Sequence, residues 1–294
     1  QVSADVIREI TRHPNRIYRD VVLDALESIQ APVLTSRDTC CFVLNPAGTA
    51  SEELVLDTLD RALAGRDIPV AGGSASAEEC VSGEVSLNGS VFSNSSVFAF
   101  IHMERGHIGI YQENIFRPMG RIYEVTRADA PTRTLYELAG RPAAAVLCEA
   151  LQVEEGKLAE ALALQHCGRL LGDSLYIDEV ERINPDHSIT AYCRILPGSR
   201  LTLLELDDPL QVRQNTLQRI QAEFHSLDFS IMVHCFSRTQ LFLRQGGMDG
   251  LTRDLAAGLG PYIGLTSHGE QMGDFQVNMT MLLLCFGDTC SVER

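Results

Sequence analysis

No apolar run in this sequence approaches the roughly 20 residues needed to cross a bilayer. The opening QVSADVIREITRHPNRIYRD has neither the apolar centre nor the cleavage site of a secretory signal. Both absences set the expectation of a cytoplasmic protein with no membrane contact. The chain begins with glutamine, so residues upstream of it are expected to have been removed or to lie outside this sequence. Basic side chains are scarce, 24 against 39 acidic ones, and the formal charge of −15 makes a field that repels a phosphate backbone, which argues against a nucleic-acid partner. No C-x-x-C pair occurs; nine cysteines, odd in number and irregular in spacing, sit partly inside apolar runs such as IMVHCF and MLLLCF. Reduced thiols used as small core residues are the expectation, without a zinc site. Neither a disulfide nor a metal is expected at Cys285 and Cys290, the closest pair after the adjacent Cys40 and Cys41. The phosphate loop G-x-x-x-x-G-K-[ST], a strict G-x-G-x-x-G, the nucleophile elbow G-x-S-x-G and H-E-x-x-H are all missing.

What is present is an ample apolar fraction, 45% of 294 residues, enough for one large domain or two ordinary ones. A strand-like run DTCCFVLN is followed by SEELVLDTLDRALAG at helical spacing, with Ser51 placed to cap it, then by PVAGGSASAEE and the strand-like SSVFAFIHM. From residue 228 the order repeats: DFSIMVHCFSR, MDGLTRDLAAGLG, PYIGLTSHGEQ and NMTMLLLCFG. Gly72 to Gly264 is a shift of 192, Phe42 to Ile231 of 189, and Val97 to Thr280 of 183, a near-constant offset that points to internal duplication. Near-continuous apolar strands imply sheets covered on both faces, so the expected class is α/β: a layered sandwich of two pseudo-symmetric α/β halves with sheets flanked by helices. Residues 1–30 read as helical. RPAAAVLCEAL and VEEGKLAEALALQHCG also read as helical, and SLYIDEVERI and SITAYCRIL as strands joined by NPDH. The division is placed at residues 1–172 and 173–294, in the GRLLGDS stretch.

In order, PVAGGSASAEE, ENIFRPMG, VTRADAPTRTLYELAGRPAAAV, CFSR and GLTSHGEQMGDFQVNMTMLLLCFG resemble the FIST family, from about Asp38 to Gly287. The resemblance implies a FIST-N-like part followed by a FIST-C-like part, with the family's first strand and helix unit missing or altered ahead of Cys41. It implies a sensory domain of bacterial signalling, binding a small molecule such as an amino acid and acting on a histidine kinase of a two-component system, a cyclase or a chemotaxis protein. Some relatives are haem-based nitric-oxide sensors, others F-box proteins used as interaction scaffolds. Haem b, held non-covalently because no C-x-x-C-H occurs, is the implied cofactor of that alternative.

The candidate ligand-binding residues lie at strand ends, where α/β sheets receive ligands. Gly72, Gly73, Gly264 and Gly269 supply tight turns or close backbone approach at strand ends, or expose backbone N–H groups to a ligand, which Ser74, Ser76, Thr266 and Ser267 would extend with hydroxyl donors. Glu270 resembles the family's Gly-Glu pair and Arg238 its Cys-x-x-Arg. These two either pair with each other or serve a ligand. Asn278 and Thr280 resemble an Asn-x-Thr that pins a turn. His268, standing where the family has an aromatic, and His234 are the candidate iron ligands if haem is bound. Adjacent strand residues point to opposite faces, so Cys235 and His234 cannot cooperate. Cys235 with His268 stays open, and no catalysis is expected.

Overall fold

A computed structural model of the protein describes residues 1–13, 18–76, 83–172 and 174–289. Cys80 and Cys290 therefore lie outside the described residues. In chain order the elements are β1 (Val2–Arg8), α1 (Arg19–Glu27), β2 (Thr39–Pro46), α2 (Glu52–Leu63), β3 (Val70–Ala75), the hairpin β4 (Glu84–Leu87) and β5 (Ser90–Ser93), β6 (Ser95–His102) and β7 (His107–Asn114). Next come β8 (Phe116–Asp129), β9 (Thr134–Leu138), β10 (Arg141–Pro142), α3 (Ala143–Leu151), α4 (Leu158–Leu162), β11 (Cys167–Leu171), β12 (Ser174–Asp178), β13 (Val180–Ile183), β14 (Ile189–Ala191) and β15 (Arg200–Leu206). The chain closes with α5 (Pro209–Glu223), β16 (Phe224–Cys235), α6 (Phe236–Arg244), α7 (Met248–Leu259), β17 (Tyr262–Ser267), β18 (Glu270–Met272), β19 (Phe275–Val277) and β20 (Thr280–Thr289). No helix among the described residues is long and apolar enough to cross a membrane.

Two compact units result. One gathers residues 1–114, 210–276 and those from 280 on; the other gathers residues 115–209 with 277–279. They do not follow a linear cut at residue 172. The duplication lies wholly within the first unit. There β2 and β3 run parallel with Val43 beside Gly72, β6 lies antiparallel on the far side of β2, and β1 lies antiparallel beyond it. Likewise β16 and β17 run parallel with Met232 beside Gly264, β20 lies antiparallel on the far side of β16, and β7 beyond it. The order β3-β2-β6-β1 is thus written again as β17-β16-β20-β7, and the first sheet adds β18 and β19 outside β3. Phe42 faces Ala99 where Ile231 faces Leu284, so Val97 corresponds to Leu282 rather than to Thr280.

The two sheets pack face to face through Cys40 and Ala71 of the first and Ile108, Val233, Leu282, Leu284 and Phe286 of the second. The other face of the first sheet is closed by α1 and α2, whose Val22, Leu26, Val55, Leu56, Leu59 and Leu63 bury against Cys41, Val43, Phe98 and Phe100. Each such side chain contributes roughly 1.5–3 kcal/mol. On the second sheet α6 and α7 pack against β16. The α/β class with layered, repeated sheets is what the strand pattern implied.

Three local expectations change. The segment expected to be part of a helix over 1–30 begins as a strand, β1, paired along its length with β6 from Val2 opposite Ile101 to Arg8 opposite Ser95. As an edge strand it buries only Val6 and Ile7, so its period-two signal is faint and tertiary pairing decides. A strand and a helix therefore do precede β2. Ser51 stands at the start of α2, but its side chain caps nothing; its hydroxyl shares a 2.6 Å bond with Thr49, and its carbonyl takes the Val55 N–H at 3.0 Å. CFSR is not all strand: the strand ends at Cys235 and Arg238 sits in the first turn of α6.

The second unit carries the sheet β12-β11-β15-β8-β9-β14-β13, with β10 paired to β9. Val125, Leu135, Leu138 and Leu201 form its core with Leu147 of α3 and Leu158 of α4. Its β13 and β14 are joined by NPDH, as their spacing implied, with Ile183 opposite Ile189.

Candidate functional site

Of the structural roles expected of the glycines, close approach of neighbouring chain holds at Gly72 and Gly73 and a turn at Gly269. Gly72 and Gly73 lie inside β3, and a Cβ at Gly72 would stand 1.8 Å from the Val43 carbonyl oxygen. A Cβ at Gly73 would meet Val233 Cγ1 at 2.7 Å and Ser267 Cβ at 2.9 Å, so this glycine lets the two sheets touch at their carboxyl ends. Gly264 lies inside β17 and is exposed, as is Thr266, which therefore does not line the buried site. Gly269 alone of the four has the left-handed backbone, φ 98°, that a turn demands.

That turn delivers Glu270 into the interior. Glu270 is fully buried and pairs in register with Gly73. Its carboxyl takes the Ser267 hydroxyl at 2.6 Å, the Thr280 hydroxyl at 2.7 Å and the Thr280 N–H at 3.2 Å. Burial pushes its pKa up to about 8 against the opposing pull of these hydrogen bonds and of Arg238. A neutral Glu270 keeps both Thr280 donations and reverses the third bond, donating from Oε1 to Ser267 Oγ. Between its ordinary 4.5 and about 8 the folded protein holds a proton that the unfolded chain has released. Stability must therefore fall as pH rises through that window, on the order of 5 kcal/mol in all. Glu270→Gln is expected to flatten this slope in urea unfolding between pH 5 and 8.5; equal slopes in the two proteins would contradict the assignment.

Arg238 does not pair with Glu270. Its Nη2 donates to Glu113 of β7, both side chains being fully buried. Glu113 stands opposite Met281, and Met281 opposite His234, so a row across three strands sets carboxylate and imidazole under one guanidinium. Arg238 also lies over the Phe242 ring, its Cζ 5.2 Å from the centroid. His234 Nδ1 bonds Thr239 Oγ1 at 2.9 Å; burial, with Arg238 nearby, lowers its pKa to about 3, so the ring is neutral. Arg238 Nε and Nη1, Glu113 Oε2 and His234 Nε2 are enclosed and make no hydrogen bond. Each buried, unmet polar group costs about 1–3 kcal/mol, more when charged.

A second polar row, on the first sheet, has no counterpart among the sequence candidates except Ser74. Asn45 lies beside Ser74, and Gln271 Nε2 donates to Ser74 Oγ at 2.9 Å and to Gln276 Oε1 at 2.5 Å. Both amide atoms of Asn45 and Gln271 Oε1 are buried without partners. The 189-residue shift maps Asn45 onto His234, so each copy places an unsatisfied polar side chain one residue before its first strand ends. That correspondence was available in the sequence; it is visible only once the register is known.

The remaining candidates separate. Asn278 is buried with Oδ1 unpartnered, in the segment 277–279 that belongs to the other unit. His268 is half-buried and stacks on Phe236 with ring centroids 4.8 Å apart. His102 is buried with Nδ1 3.0 Å from Thr39 Oγ1. Among the described residues no group of three or more His, Cys, Asp or Glu is arranged to hold a metal ion.

One unit is thus a sandwich of two related sheets, with unmet polar groups near the ends of their strands. The FIST N domain matches residues 2–141 and the FIST C domain residues 143–273. The chain belongs to the FIST family, sensory domains of signal transduction. No curated protein matches the chain.

Proposed function

We propose that the chain binds a small zwitterion, an α-amino acid, between Arg238 and Glu113 and passes its occupancy to a partner protein. The observation that carries this reading is the pairing of unmet donors with an unmet acceptor: Arg238 Nε and Nη1 beside Glu113 Oε2. A carboxylate completes the first and an ammonium the second. Both side chains are fully buried, so entry requires the α6 face to open. Such a protein has two arrangements, and the ligand biases them through its differential affinity. The partner is a histidine kinase, a cyclase or a chemotaxis protein, the proposed setting is the cytoplasm, and no reaction is proposed at the site.

Haem fits poorly as the alternative ligand. His234 Nε2 is the free imidazole nitrogen, but its ring is enclosed by Phe242, edge-on at 6.1 Å, by Thr239 and by the positive field of Arg238, which opposes an iron cation. His268 has one ring face covered by Phe236.

Thermal unfolding in the presence of each of the common amino acids tests the proposal. At least one is expected to raise Tm by several degrees, the size of about 2.7 kcal/mol at a hundredfold excess over Kd. Its α-keto acid, lacking the ammonium, is expected to act far more weakly, and Glu113→Gln is expected to abolish the discrimination. No shift with any amino acid, or equal shifts by amino and keto acids, would overturn the reading.

A further inference from the structure

We propose that the unit formed by residues 115–209 carries a separate anion site, where Arg121, Tyr123 and Arg141 would take the carboxylate or phosphate of a small metabolite. A cavity of about 130 Å³ is lined by Arg121, Tyr123, Ala139, Arg141, Val146 and Glu149. That is the room of about four waters, enough for an oxyanion and two or three carbons.

Three features point to an anion. The Tyr123 ring packs into the core of this unit, while its hydroxyl is enclosed and without a hydrogen bond, a donor in want of an acceptor. Arg121, two residues earlier on the same face of β8, stands with Cζ 6.0 Å from the centroid of that ring and forms no ion pair among the described residues. Arg141 reaches Glu149 at 2.8 Å, an exposed pair worth under about 1 kcal/mol and readily shared with a second acceptor. Two cations and one carboxylate leave the lining formally positive, in a chain whose overall charge is −15. Repulsion by distant carboxylates fades beyond about 8 Å at physiological salt, so the local cations decide.

The backbone supports the same reading. Ala139 and Gly140 both adopt left-handed conformations, φ 50° and 74°, between β9 and β10. The Ala139 N–H donates to the Glu124 carbonyl at 2.8 Å and the Gly140 N–H to Thr126 Oγ1 at 3.0 Å. Positive φ at both residues is what a two-residue hairpin turn needs, and with Leu138 opposite Arg141 it sets Arg141, a lining residue, directly after the turn. Ala139 and Val146 give the ligand's short carbon chain an apolar wall. This site rests on none of the groups proposed to hold the amino acid.

Calorimetric titration of the full chain with inorganic phosphate and, separately, with propionate, at pH 7 and constant ionic strength, tests the inference. One of the two is expected to bind saturably, one per chain, with Kd below about 5 mM, and the stronger binder identifies the source of the oxyanion. Arg121→Gln is expected to weaken it tenfold or more and Tyr123→Phe several-fold, both with unchanged urea midpoints. Absence of saturable binding by either anion, or binding unaltered in both variants, would overturn it.

Discussion

Gly72→Ala is expected to lower the unfolding free energy by about 3 kcal/mol or more, or to prevent folding, whereas Gly264→Ala at the equivalent register is expected to stay within about 1 kcal/mol. The contrast follows from what each new methyl would meet. At Gly72 it falls 1.8 Å from the Val43 carbonyl oxygen, a backbone atom that moves only if β2 and β3 part. At Gly264 the nearest atom, at 2.5 Å, is the terminal methyl of Met232, which can swing away, and the site is exposed. Urea midpoints of the two variants measure the difference. Similar midpoints would mean that β2 and β3 do not approach as described.

Removing one member of the buried ion pair is the second large effect. Arg238→Met leaves Glu113 charged and enclosed, and a loss of about 3–5 kcal/mol is expected. Pairing it with Glu113→Leu removes both charges, so the double variant is expected to recover most of that loss while losing the response to amino acids altogether. A thermodynamic cycle over wild type, the two single variants and the double variant measures the coupling. If the double variant is as unstable as the sum of the singles, the pair is not what holds α6 on its sheet.

Much of the architecture was legible because apolar strands, a helix between them and a constant offset are local signals. The run TCCFVLN and its copy SIMVHC announced near-continuous apolar strands in sheets covered on both faces, and the offsets for Phe42 and Gly72 agree with the pairing of Val43 with Gly72 and Met232 with Gly264. The edge strand β1 was not legible, since VSADVIR buries two residues and acquires its conformation from β6. At the site, Arg238, Glu270 and His234 were visible as residue types at strand ends. Which side chains they would pair with was not. Glu113 lies 125 residues from Arg238, in a strand whose neighbours are set by the sheet, and the Thr280 donations to Glu270 arise from a segment ten residues on that returns beside it. Asn45 gives no signal of its role, because a single amide in an apolar run carries no motif.

The Arg238 Nε–H resonance, followed in a ¹⁵N-labelled protein during titration with the amino acid that stabilises it best, gives the most direct reading of the proposed site. A signal that shifts saturably, with the same midpoint as the thermal effect and in slow exchange with water, is the result predicted for a carboxylate docking on this edge of the guanidinium. A resonance that stays where it is while the amino acid binds would place the ligand elsewhere and leave the unmet atoms of Arg238 and Glu113 without a role in sensing.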